Sequence, residues 1–115
     1  MSFTYPKQAA SIFLFLRKIA AERQVVSYGD TAVAIGRTAS EGRLIAPALQ
    51  ILHEWCCLNN RPAITALVVK EDTSEVGEWL ASRIPDPVRE RQKVCDHDWS
   101  TNLPLLSDLQ AIKLK

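Results

Sequence analysis

Between Ala9 and Ala20 the apolar residues Ala9, Ile12, Phe13, Leu16, Ile19 and Ala20 recur at intervals of three and four. Only an α-helix gathers that spacing onto one face. Lys7, Arg17, Lys18 and Arg23 fall largely off the face, and Pro6 stands where a first-turn proline forfeits no hydrogen bond. Leu14 and Phe15 widen the apolar side, which predicts a core helix packed on more than one side. The rest of the chain must therefore supply elements that cover it. Its 115 residues suffice for one compact core and are too few for two, so a single domain over 1–115 is expected.

Those covering elements are readable in order. Gln24-Val25-Val26 is a short extended link, after which Ser27 caps a helix with Asp30 three residues on, near its positive end. Ala32, Val33 and Ile35 give this helix its core face, and Gly36 stops it. Ser40 and Glu41 open a third helical stretch whose apolar positions are Leu44, Ile45, Ala48, Leu49, Leu52, Trp55 and Cys56. Pro47 lies inside that pattern, where an interior proline costs about 3 kcal/mol, so the chain either kinks or starts its longer helix near Ala46. Asn59-Asn60 and Pro62 end it. Ile64 to Lys70 is rich in β-branched and apolar residues and predicts a strand. Asp72-Thr73-Ser74 with Gly77 is turn chemistry, and Trp79-Leu80 is placed to fold the next loop back on the core. Asp86-Pro87 is a cap and a first-turn proline, opening a polar helix whose apolar positions are Val88 and Val94. Ser107-Asp108 to Lys113 predicts a last short helix. The expected fold is α+β and mostly helical. A winged-helix-like three-helix core spans about 6–80, with one short strand in a hairpin, and a C-terminal helical extension spans about 81–115.

Composition narrows the function classes. Hydrophobic content of 47% with 23% charged residues is ordinary for a globular chain. A formal charge of +1 provides no strong global field toward nucleic acid, so any such partner must be met by local basic residues. Three cysteines, two of them adjacent, make a poor disulfide framework and point to a reducing cytoplasm. Apolar runs are far below the ~20 residues that span a bilayer, and the Ala9–Leu16 run lacks the flanks of a signal peptide. No membrane partner is expected.

The segment Val25-Val26-Ser27-Tyr28-Gly29-Asp30, running into Thr31-Ala32-Val33-Ala34-Ile35-Gly36, resembles the entry to the DNA-binding helix of the alkylguanine-DNA alkyltransferases and their inert alkyltransferase-like relatives. Gly42-Arg43-Leu44-Ile45-Ala46-Pro47-Ala48-Leu49 is similar to that family's second block, the A-R-x-V-G-x-A helix that enters the minor groove. The resemblance covers roughly residues 8–78 and implies a winged-helix scaffold. It also implies that Tyr28 presses on a phosphate and that Arg43 fills the stack when a base is rotated out. It breaks at the chemistry. Where the family has P-C-H-R-V-V, this chain has Pro62-Ala63-Ile64-Thr65-Ala66-Leu67, without the acceptor cysteine or its histidine. Alkyl transfer needs an activated thiolate beside a base, so that activity is not expected. Tyr28-Gly29-Asp30, His53 to Cys56, Pro62 to Val69, Lys70 to Thr73 and His97-Asp98-Trp99 also follow the order seen in small uncharacterised bacterial and phage proteins.

Few other residues carry chemistry. His53 and Cys56, three apart on one helix, with Cys95 and His97 near a turn, have the ligand types of a zinc site, but their spacing fits no zinc motif. Neither a metal nor another cofactor is expected. Cys57 and Cys95 would be nucleophiles only with a base beside them. Glu54, Asp96 and Asp98 read as solvated surface carboxylates. Arg37, Arg43 and Arg61 with Tyr28 are the candidates for one positive edge that meets DNA phosphates. Trp79 and Trp99 are the candidates for protein-interface anchors. Two readings follow, both non-enzymatic. One is a nucleic-acid-binding module. The other binds a cognate protein, as an immunity protein, an antitoxin facing its toxin, or a phage-encoded inhibitor does.

Overall fold

The computed structural model describes residues 5–73, 75–100 and 103–112. Helix α1 runs over Tyr5–Ala21 and buries Gln8, Ala9, Ile12, Phe13, Leu16 and Ala20. Its apolar face is narrower than the sequence implied, because Leu14 is 47% exposed and Phe15 only half-buried. After a turn through Arg23, whose φ is +53°, strand β1 (Val26–Ser27) leads directly into α2 (Tyr28–Ala34). The Ser27 hydroxyl accepts a hydrogen bond from the Asp30 backbone N–H at 3.0 Å, a cap worth about 1 kcal/mol. Gly36, at φ +91°, takes the chain out of the helix. Val33, assigned above to the core face, is instead exposed, since a helix this short buries only Gly29, Thr31 and Ala32.

The next turn resolves the Pro47 conflict. Ala39–Ile45 is a 3-10 helix whose first turn is closed by Thr38 and Glu41, the carboxylate accepting from the Thr38 backbone N–H at 3.0 Å. Helix α3 then begins afresh as Ala46–Leu58, with Pro47 in its first turn, where no N–H is missed. Leu49, Leu52, Trp55 and Cys56 face the core, whereas Leu44, on the 3-10 segment, is exposed.

Residues 64–70 do not form the predicted strand. Ile64–Leu67 is a 3-10 helix, and only Val68–Val69 is extended, as β2. The cause is burial on two sides. Ile64 and Leu67 point into the main core while Ala63 and Ala66 line a second cluster, and a repeat of three matches the 3-10 period. Two side chains of the later helix α5 brace this turn, Glu90 accepting from the Ala63 N–H at 2.7 Å and Arg91 donating to the Ala66 carbonyl at 2.8 Å. The expected hairpin is likewise replaced. Strands β1 and β2 pair in parallel, Val26 opposite Val68 and Ser27 opposite Val69, and a parallel pair requires the long crossover that α2 and α3 supply.

Beyond β2 lie α4 (Glu78–Ala81), α5 (Pro87–Asp96) and α6 (Leu106–Gln110). Asp86 caps α5 as its sequence indicates, accepting from the Arg89 N–H, but Val88 faces solvent and only Val94 is buried. Val94, Trp99 and Leu109 join the same buried cluster as α1 and α3, so the C-terminal segment is part of the main core. The smaller cluster of Ala63, Ala66, Val76, Leu80 and Ile84 sits beside it, with Trp79 packed on top. The fold is mostly helical with one small two-stranded parallel sheet. Among the described residues no helix is long and apolar enough to cross a membrane.

Candidate functional site

Tyr28 is the first residue of α2, so its ring leaves the helix at the point where β1 ends. There it meets the start of α4, and the phenol hydrogen-bonds to the Gly77 backbone. Burial pushes the Tyr28 phenol above its ordinary value, and the bond to Gly77 partly offsets this. Three glycines make the junction possible. A Cβ on Gly42 would lie 3.0 Å from the Gly29 nitrogen and the Tyr28 carbonyl carbon. One on Gly29 would lie 2.5 Å from Glu71 Oε1, and one on Gly77 would run into the Tyr28 hydroxyl.

The close approach leaves a cleft of about 560 Å³. Its walls are the first turn of α2, the 3-10 segment with Gly42 and Arg43, the turn Lys70–Asp72, and the start of α4 from Gly77 to Trp79. Two cations, Arg43 and Lys70, share it with three carboxylates, Glu71, Asp72 and Glu78. Trp79 is half-buried there, carrying the Arg83 guanidinium 3.9 Å from its ring centroid and meeting the His53 ring edge-on at 5.4 Å.

Of the residues singled out in the sequence, Tyr28, Arg43 and Trp79 converge on this cleft. Arg37 and Arg61 do not. Arg37 is bound to Glu41 at 2.9 Å, and Arg61 lies over the Trp55 ring at 5.0 Å. Neither arginine lines the cleft with Tyr28 and Arg43. Trp99 is also no surface anchor. It is 6% exposed, stacks edge-to-face on Phe13 at 5.7 Å and donates its indole N–H to the Val94 carbonyl at 2.8 Å.

The four zinc-type residues do not converge on one point. Cys56 is fully buried, and burial pushes its thiol up to about 12. His97 meets the Trp99 ring in a T-shaped contact with ring centroids 4.4 Å apart, and Cys95 is half-buried near the end of α5. His53 is 4% exposed, with Nδ1 3.3 Å from the Thr65 hydroxyl and Nε2 3.6 Å from the Cys57 sulfur. Among the described residues no three His, Cys, Asp or Glu side chains stand close enough to hold a metal ion.

Comparison with family models, with characterised proteins and with solved structures gives no match. The cleft has to be read from its own chemistry. Two of its walls had no signal in the sequence, because Lys70–Asp72 and Gly77–Trp79 reach Tyr28 only through tertiary contact. The His53–Cys57 pairing did have one: residues four apart share a helix row, and the apolar stripe of Leu49, Leu52 and Cys56 already claims the neighbouring row for the core.

Proposed function

We propose that this chain is a non-enzymatic binding module that works through the cleft around Tyr28, and that its occupant is a segment of a partner protein. The mixed charge of the cleft carries the reading. A phosphate backbone is met by several cations acting together, whereas here Arg43 and Lys70 stand among Glu71, Asp72 and Glu78. A protein segment bringing an acidic side chain to the first pair and a basic one to the carboxylates complements both. Tryptophan and arginine are enriched among the residues that dominate interface energy, and Trp79 and Arg43 line the same cleft. The scaffold in this reading keeps winged-helix character in α1, α2 and α3, with the parallel β1–β2 pair in place of a hairpin wing. In this reading the chain acts as an immunity protein, an antitoxin or an inhibitor.

Affinity purification from the native host, with mass spectrometric identification, tests the idea when repeated with Arg43→Glu and Glu78→Arg. Both substitutions fall on exposed side chains. The expected result is one protein that survives a high-salt wash and is lost from both variants, each keeping the parent unfolding midpoint. Retention on duplex or single-stranded DNA at low salt, falling steeply as salt is added and absent in Arg43→Glu, overturns it in favour of nucleic acid.

A further inference from the structure

A nucleophilic thiol needs a base within reach, and the base needs a third group to hold it. Cys57, His53 and Thr65 meet that description. Cys57 is exposed near the end of α3, its sulfur 3.6 Å from His53 Nε2 one helical turn earlier. On the far side of the ring, Thr65 Oγ1 lies 3.3 Å from Nδ1, and Thr65 is fully buried in the 3-10 turn that the α5 side chains brace. With Nδ1–H donating to Thr65, the bare Nε2 faces the thiol. Trp79 packs edge-on against the imidazole and restricts its tilt. Neither Cys56 nor Cys95 has a ring nitrogen in hydrogen-bond contact among the described residues.

We propose that Cys57 is a thiol–disulfide exchange site, with His53 as its base and Thr65 as the group that positions His53, and that it takes small cationic disulfides. In the step, Cys57 Sγ attacks one sulfur of R–S–S–R while its proton passes to Nε2. The S–S bond breaks, and the departing RS⁻ leaves as RSH with that proton. The product is a mixed disulfide on Cys57, and the disulfide itself is the only oxidant. A carbonyl substrate fits less well, because it needs free N–H donors for its oxyanion, and the backbone N–H groups of this turn of α3 are bonded within the helix. The preference for a cationic disulfide follows from position. Glu54 lies three residues before Cys57 on the same helix, and Glu90 of α5 reaches the adjacent Ala63.

The charged groups around the pair set its pH behaviour. Burial lowers the His53 value, Glu54 and Glu90 oppose this, and Arg83 adds to it. Burial, Glu54 and Glu90 all raise the Cys57 thiol. Across neutral pH both groups are therefore uncharged, and the rate depends on the neutral imidazole rather than on a thiolate.

The test follows the mixed disulfide on Cys57 by mass spectrometry in a Cys95→Ser background, with cystamine as the cationic probe and dithiodiglycolate as the anionic one. The expected profile is flat between about pH 7 and 8.5, and Thr65→Val slows the reaction about tenfold. His53→Gln restores an ordinary rise of about tenfold per pH unit. Cystamine reacts several-fold faster than dithiodiglycolate, and Glu54→Gln narrows the difference. A wild-type rate that climbs with pH like a free thiol, or one unchanged by Thr65→Val, overturns the base assignment. Equal or reversed rates for the two probes overturn the substrate class. Should His53→Gln fail to fold, the wild-type profile and Thr65→Val decide alone.

Discussion

Trp99 sits in a stretch of polar residues, Asp96 to Ser100, that reads as surface. Its indole nevertheless enters the core, because it packs edge-to-face with the Phe13 ring and the Val94 carbonyl satisfies its one polar atom. Trp99→Ala should cost about 3–5 kcal/mol in urea unfolding. Trp99→Phe keeps most of the packing and loses one hydrogen bond, for about 1 kcal/mol. His53 makes a different prediction. Its folded value lies below the ordinary 6.5, chiefly through burial, so as pH falls the unfolded chain takes the proton first. The stability it contributes is complete above 6.5 and drains away below, until the folded value is crossed. Urea midpoints should therefore hold steady above that point and decline beneath it, and His53→Gln should flatten the decline. Both environments are completed by residues distant in the chain, Phe13 for Trp99 and Thr65 and Trp79 for His53, which is why the sequence shows a surface tryptophan and a metal-ligand type where the fold has a core ring and a buried imidazole.

Local chemistry was legible wherever an element's own ends decide it. Ser27 before α2, Asp86 before α5 and Pro47 in the first turn of α3 all act within four residues, and each behaves as capping rules require. Ile64–Leu67 failed that logic because its period is set by two cores pulling on alternate sides. The cleft was half legible. Tyr28 and Arg43 stood out by their motif, but the turn and helix that face them arrive through the three-glycine junction. That junction can be probed one contact at a time. Gly42→Ala presses on backbone atoms that cannot yield and should destabilise by about 1–3 kcal/mol in urea unfolding. Gly77→Ala presses on the Tyr28 ring, which can swing away. It should therefore cost less stability while freeing the phenol, seen as a tyrosine absorbance titration whose raised component returns toward 10.

At the scale of the molecule, one buried cluster draws on both ends of the chain: Ile12 and Phe13 of α1, Trp55 of α3, then Val94, Trp99 and Leu109. Hydrophobic periodicity made α1 and α3 readable as partners, since each presents a continuous stripe. The last third was not readable in this way, because it contributes single residues separated by polar stretches. The parallel joining of Val26 to Val68 bears on the order of events in folding. Its two strands are brought together only once the intervening helices are in place, and contacts of such long sequence separation form late. Val26→Ala removes side-chain contacts that belong to the finished molecule more than to its transition state. In stopped-flow measurements it should leave the refolding rate nearly unchanged and speed unfolding, about tenfold for each 1.4 kcal/mol lost. Two residue pairs of sheet would then act as a latch, contributing little to how fast the chain folds and much to how long it stays folded.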